Sequence, residues 1–348
     1  MRNMKTLLST IIGLLISFTI AFAESIPYEF TTIDIPITGE SNRIAFPDDI
    51  NDQGVILSNI RVDNLSEALI ATPLKSKGKS FRSNTFSCTG VPFADTAAFS
   101  INDKGQIAGY CADAPSAPSK QFGFIRNRNG KHILLDFPGA DGTAAFGIND
   151  RGQVVGQFYG PLRADHGGAL SYRFHCFIWQ NGQYKQLDFP RDNTYVNCTS
   201  INNRGQVLGE YITVTLDNDY IEHGWFIYDN GRFTLDFPLS LEHVGGPAIF
   251  LADMNNHGQI VGQRSNGDSD WNGLFLYDDG KFYDIELPPE FAYADVRGMN
   301  DKGQFVGMYS VQVGLDPLYD SPIYEYHGYV ARPATLKRSR QLVAKAGQ

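Results

Sequence analysis

The phrase "INDKGQIAGY" at residues 101 to 110 recurs along the chain as "INDRGQVVGQ", "INNRGQVLGE", "MNNHGQIVGQ" and "MNDKGQFVGM". With the leading copy at "INDQGVILSN", the marker asparagines are Asn51, Asn102, Asn149, Asn202, Asn255 and Asn300, at intervals of 51, 47, 53, 53 and 45 residues. A repeat of about fifty residues demands a unit that stacks on copies of itself, because one such unit cannot bury both of its faces. Further marks recur in each unit: an aromatic and aliphatic run closing on a turn ("GFIRNRNG", "CFIWQNG", "WFIYDNG", "LFLYDDG"), then "LDFP" at 135 to 138, 187 to 190 and 235 to 238. Helical periodicity is absent, and short β-rich runs alternate with Gly, Asn and Asp. Each unit therefore reads as four strands.

Asn102-Asp103-Lys104-Gly105 has an Asn that can bond its own backbone, tolerant central residues and a Gly at i+3, which predicts a type I turn followed by a left-handed Gly. The second glycine of the phrase (Gly109, Gly156, Gly209, Gly262, Gly307) sits inside a strand and predicts a close backbone approach, as where neighbouring sheets crowd together. The phrase is a hinge rather than a repeated catalytic site.

Six four-stranded units of this length predict an all-β fold, a six-bladed β-propeller of antiparallel blades spanning residues 24–331. The last unit ends without its fourth strand, and "YEFTTIDIP" from Tyr28 to Pro36 has the character of the missing one. The N-terminal strand is therefore expected to complete the last blade and remove the free edge. The phrases "INDxGQVVG" and "LDFP", with His223-Gly224-Trp225 and His327-Gly328-Tyr329, resemble the extracellular HAF-repeat family. The resemblance implies export and a propeller, and it carries no catalytic assignment.

Residues 1–23 combine Arg2 and Lys5, an apolar run from Leu7 and the small-x-small stretch Ala21-Phe22-Ala23, the pattern of a cleaved signal peptide. No later run is long enough for a membrane helix. Cleavage would leave 27 basic against 38 acidic residues, from 29 and 38 in the whole chain, a net charge of −11. An acidic chain of this kind is not expected to bind nucleic acid. Residues 332–348 form a basic tail without acids, read as mobile. Cys88, Cys111, Cys176 and Cys198 predict two disulfides in an oxidising compartment, and sequence order favours Cys88 with Cys111 and Cys176 with Cys198.

No G-x-S-x-G, H-E-x-x-H, Walker A or G-x-G-x-x-G motif occurs. The repeated residues build the scaffold, so function is sought in the residues that do not repeat. Long insertions at 159 to 174, 211 to 223, 265 to 273 and 309 to 327 all fall on the face opposite the "INDKG" turns. The candidate ligand-binding residues there are Asp165, His166, Tyr220, Glu222, Trp271, Asp316, Tyr319, Asp320 and Tyr324. Asp217, Asp219, Asp268 and Asp270 are candidate calcium ligands, and no other cofactor is expected. Acids mixed with aromatics suit a carbohydrate or a protein, and the expected function is a non-catalytic binding or assembly module outside the cytoplasm. The alternative is a glycan hydrolase or lyase using acids of the same face.

Overall fold

The computed structural model of the chain describes residues 24–36, 44–62, 65–74, 80–90, 94–113, 120–160, 163–164, 170–171, 174–191, 194–214, 221–235, 249–265, 271–317 and 319–334. The signal-peptide reading of residues 1–23 and most of the basic tail lie outside them. The described residues are all-β, with no helix, and the sheets are arranged as a propeller.

The strands group by repeat into antiparallel sets of four. The first holds Ile44–Ile50, Ile56–Val62, Leu65–Pro73 and Phe81–Phe86; the second Ala94–Ile101, Ile107–Asp113, Gln121–Arg126 and His132–Leu135. Next come Gly142–Ile148, Val154–Tyr159, Phe174–Gln180 and Gln183–Leu187, then Thr194–Ile201, Val207–Val214, Ile221–Asp229 and Arg232–Leu235. A parallel bridge between Gln121 and Gly142 joins the second and third sets into one sheet. Ile249–Met254, Ile260–Ser265, Trp271–Asp278 and Lys281–Ile285 follow, with Glu24–Ile26 added in parallel along the last of them. The final sheet contains Tyr293–Ala294, Gly298–Met299, Phe305–Leu315 and Pro322–Pro333. On its outer edge lies Tyr28–Thr32, antiparallel to Pro322–Pro333, with Tyr28 opposite Pro333 and Thr32 opposite Tyr329. That last strand runs two residues beyond the boundary expected for the propeller.

Apolar side chains pack between successive sheets rather than in one central core. Leu57 and Ala68 meet Ala98, Ile107 and Phe124; Ala108 and Ile125 meet Ala145, Ile148 and Val154. Leu208 and Trp225 meet Ile249, Leu251 and Phe275, and Ile33, Ile50, Ile56 and Leu69 meet Val306 and Val330 of the final sheet. Each sheet thus loses apolar area to water on both faces, at about 25 cal/mol per Å².

The turns adopt the expected geometry. The amide of Gly105 donates to the Asn102 carbonyl at 3.0 Å, and Gly105 has φ of 71°. The strand glycines have a different cause from the one expected. A Cβ at Gly156 would lie 2.0 Å from the carbonyl oxygen of Ala144 and 2.8 Å from the Phe177 ring, both within its own sheet. The crowding comes from a bulge in the adjacent innermost strand, where the register shifts between Ala145 and Gly147, and not from a neighbouring sheet.

Two disulfides, Cys88–Cys111 and Cys176–Cys198, each fasten one set of strands to the next, in the pairing that sequence order favours. Denatured, unreduced protein is expected to show no free thiol. Breaking either bridge with a Cys→Ser pair should lower stability by about 3 kcal/mol, given loops of 23 and 22 residues. Urea unfolding checks this, and thiol titration of the unreduced, denatured protein checks that all four cysteines are bridged.

Candidate functional site

The repeated asparagines converge at the end of the molecule where the turns lie. Each Oδ1 pins its own turn: Asn149 Oδ1 accepts from the Arg151 and Gln153 amides, both at 3.0 Å. Each side-chain amide reaches the next repeat. Asn51 donates to the Asn102 carbonyl (3.1 Å), Asn102 to Asn149 (2.9 Å), Asn149 to Asn202 (2.8 Å), Asn202 to Asn255 (3.4 Å) and Asn255 to Asn300 (3.3 Å). Asn300 in turn donates to the Asn51 carbonyl at 3.1 Å. All six are buried.

A second circle lies one residue on. The amide of Asp52 donates to Asp103 Oδ1 (2.7 Å), that of Asp103 to Asp150 (2.9 Å) and that of Asp150 to Asn203 (2.7 Å). The Asn203 amide donates to Asn256, that of Asn256 to Asp301 (2.7 Å), and that of Asp301 to Asp52 (3.0 Å). Asparagine serves at two of these positions, so the circle needs an acceptor oxygen and not a charge. Asp52, Asp103 and Asp301 each bring a carboxylate oxygen within 4.8 Å of the others and are the described residues that could gather around a cation. The four sequence-derived calcium candidates, Asp217, Asp219, Asp268 and Asp270, lie outside the described residues.

Beneath these circles is a small axial cavity of about 70 Å³, lined by the asparagines and by Asp49, Ser100, Ser200 and Asp253. Asp49 Oδ2 accepts from the Ile101 amide (2.7 Å), and Asp253 accepts from the Ser200 hydroxyl (2.5 Å) and the Met299 amide (2.8 Å). Burial pushes the Asp49 carboxyl well up, and the charge of Asp253 adds to this against the hydrogen bonds it accepts. Burial likewise raises Asp253, opposed by its bonds to Ser200, Met299 and Met254. These two acids, Asp49 buried and Asp253 half-buried, were not among the sequence-derived candidates. Their signal was available: they stand two residues before the marker asparagine, where the other repeats carry Ser or Gly.

Of the candidates expected on the opposite face, Asp165, His166, Asp217, Asp219, Tyr220, Asp268 and Asp270 fall outside the described residues. Glu222 lies opposite Thr213 and Trp271 opposite Ser265, each at or next to the start of its strand. Asp316, Tyr319, Asp320 and Tyr324 are brought together by one hairpin, the strands Phe305–Leu315 and Pro322–Pro333, which are the longest in the chain among the described residues. Its turn is tied by the Asp316 amide to the Ser321 carbonyl (2.7 Å) and by the Tyr319 amide to Asp316 Oδ1 (3.1 Å). Tyr319 is 80% exposed and Tyr324 42%, while Val313, Leu315, Ile323 and Tyr326 add to the same exposed surface.

The raised carboxyls of Asp49 and Asp253 give a signed pH dependence. The folded chain holds these protons to higher pH than the unfolded chain, whose aspartates titrate near about 3.9. Their contribution to stability is full below that value and is lost as pH rises through the folded pKa. Asp253→Asn removes the titration at the cost of an acceptor oxygen. Its stability relative to the parent protein is therefore expected to improve as pH rises above about 4, the unfolded aspartate value. Urea unfolding across that range checks it, and a pH-independent difference would contradict it.

No family model matches the chain, and no curated protein matches it. Solved structures that align with it include an acylaminoacyl peptidase in complex with a chloromethyl ketone, at 11% identity over 81% of this chain and 43% of that one, with a TM-score of 0.45. An ulvan lyase described as a new family of polysaccharide lyase aligns at 11% identity over 86% of this chain and 81% of the lyase, with a TM-score of 0.46. An α-L-arabinofuranosidase of Fusarium graminearum aligns at 10% identity over 87% of this chain and 97% of that one, with a TM-score of 0.44. The chain spans less than half the length of the peptidase. Likeness at this level carries no activity over to this chain.

Proposed function

We propose that this protein is an exported, non-catalytic binding module of the HAF-repeat type, built as a six-bladed propeller whose ring is completed by Tyr28–Thr32, and that its partner is a protein docking on the face opposite the repeated turns. Export is supported by the N-terminal signal pattern and by two disulfides. The six-bladed, closed reading is supported by the pairing of Tyr28–Thr32 with the last strand and by the bond from Asn300 back to Asn51.

The observation that carries the binding role is the hairpin 305–333. Its outer end gathers Val313, Leu315, Tyr319, Ile323, Tyr324 and Tyr326 as exposed large side chains. Beyond Ser310 and before Gly328 neither of its edges pairs with a described strand. Aliphatic groups mixed with tyrosines suit a protein surface better than a sugar, since tyrosines act as rigid anchors and the aliphatic groups exclude water around them. Residues 305–328 hold Asp316, Asp320 and Glu325 and no Lys or Arg, so the partner surface is basic.

A photo-cross-linking side chain at position 319, used in the native host, is expected to trap one protein species. Tyr319→Ser with Tyr324→Ser should abolish a cross-link made from position 326 while leaving the melting temperature unchanged, because these side chains already face solvent. The reading fails if nothing is trapped, or if the cross-link survives both substitutions.

A further inference from the structure

One position in each repeat breaks the repeated pattern. Three residues before the marker asparagine stand Asp48, Phe99, Phe146, Thr199, Ala252 and Arg297. In the first five repeats the innermost strand bulges there, with register shifts at 47/49, 98/100, 145/147, 198/200 and 251/253. In the sixth, Arg297 sits in the break between Tyr293–Ala294 and Gly298–Met299. A bulge re-aims the side chain it carries. The residues just before these six, such as Ala98, Ala145, Cys198 and Leu251, are buried against the preceding sheet, whereas the six themselves are half-buried.

Neighbouring repeats touch through these side chains. Arg297 Nη1 lies 2.8 Å from Asp48 Oδ1, and its Nη2 lies 3.0 Å from Asp295 Oδ2. The Phe99 and Phe146 rings are 5.0 Å apart at 40°, with Tyr110 at 5.7 Å from Phe99. In repeat order the collar runs from a guanidinium and carboxylates, through two phenyl rings, to a hydroxyl and a methyl. Thr199 and Ala252 are the small members: the Thr199 hydroxyl donates to the Leu208 carbonyl at 3.2 Å, and Ala252 packs against the apolar cluster that holds Val296 and Met299. The strands run toward the turns, which places the collar on the long-loop side of the asparagine circle.

We infer that this collar is a binding site for a neutral sugar residue. A pyranose has an apolar C–H face, which stacks on a phenyl ring, and a rim of hydroxyls that both donate and accept. The Asp48–Arg297–Asp295 cluster supplies acceptors and donors side by side, held in place by their mutual ion pairs. Two carboxylates to one guanidinium leave a net negative charge, which disfavours uronate or sulfated sugars. An inorganic cation would make no use of the phenyl rings, and a purely apolar ligand none of the charged cluster. Because the same position is occupied differently in every repeat, the site is asymmetric on a repeating scaffold. It is separate from the hairpin surface and stands without it.

The test is calorimetric titration of the mature protein with tetrasaccharides of the gluco, manno, galacto, xylo, arabino and chito series, and with tetragalacturonate. At least one neutral series should bind saturably and more tightly than tetragalacturonate. Phe99→Leu with Phe146→Leu should weaken that binding by tenfold or more through loss of stacking. Arg297→Gln, which removes the guanidinium while keeping both phenyl rings, should also weaken it by tenfold or more. Tyr319→Ser with Tyr324→Ser should leave it intact. No binding by any neutral series, tighter binding of the uronate, or neutral binding that survives both the phenyl and the Arg297 substitutions would overturn the inference. So would sugar binding lost only with the hairpin tyrosines.

Discussion

Everything in this molecule hangs on one side-chain amide. The asparagine of the repeated phrase uses its oxygen to hold its own turn and its nitrogen to hold the carbonyl of the next repeat's asparagine. No other neutral residue of that length offers both an acceptor and two donors. Aspartate would keep the first role and lose the second; serine would be too short to span to the next strand. Because all six are buried, each bond left unmade would cost about 1–3 kcal/mol, and the phrase tolerates little change.

The bulges follow from the same packing. Innermost strands that meet around an axis approach closely, and the extra residue in each lets the strand bend while its carbonyl presses against the second strand. In five repeats the residue opposite is glycine: a Cβ at Gly109, Gly156 or Gly262 would overlap the Ala97, Ala144 or Phe250 oxygen. The first repeat has Ser58 at this position, fully buried and with its hydroxyl unpartnered, which marks it as the least regular repeat. The same bulges turn one unlike side chain per repeat into the collar, so a structural necessity also creates the place where the chain differs from repeat to repeat.

Much of this was legible in the sequence. The turn chemistry of Asn102 to Gly105, the fifty-residue spacing, the disulfide partners and the kinship of the stretch from Tyr28 to Pro36 with the last unit all come from local rules or counting, although only Tyr28–Thr32 pairs there and Ile35–Pro36 pairs with the first set. The link from Asn149 to Asn202 was not legible, because a turn motif says where an oxygen goes and nothing about the neighbour its amide meets. The cause of Gly156 was misread for a related reason: a bulge leaves no propensity signal, so crowding within one sheet looks like crowding between two. Asp49, Asp253 and Arg297 were passed over because they lie just outside the repeated phrase and carry no motif. Of the long-loop candidates, Asp316, Tyr319, Asp320 and Tyr324 gather on one hairpin because its strands are the longest.

The asparagine circle makes the repeated phrase a fastener, and amide hydrogen exchange tests that role directly. The amides of Arg151, Gln153, Arg204 and Gln206 sit in tight turns at one end of the molecule, where exchange is ordinarily fast. If Asn149 and Asn202 hold them as described, their peptides will exchange about as slowly as the central strands Val154–Tyr159 and Val207–Val214, and far more slowly than the hairpin end 313–324. Turn peptides that exchange as fast as the hairpin end would contradict the account.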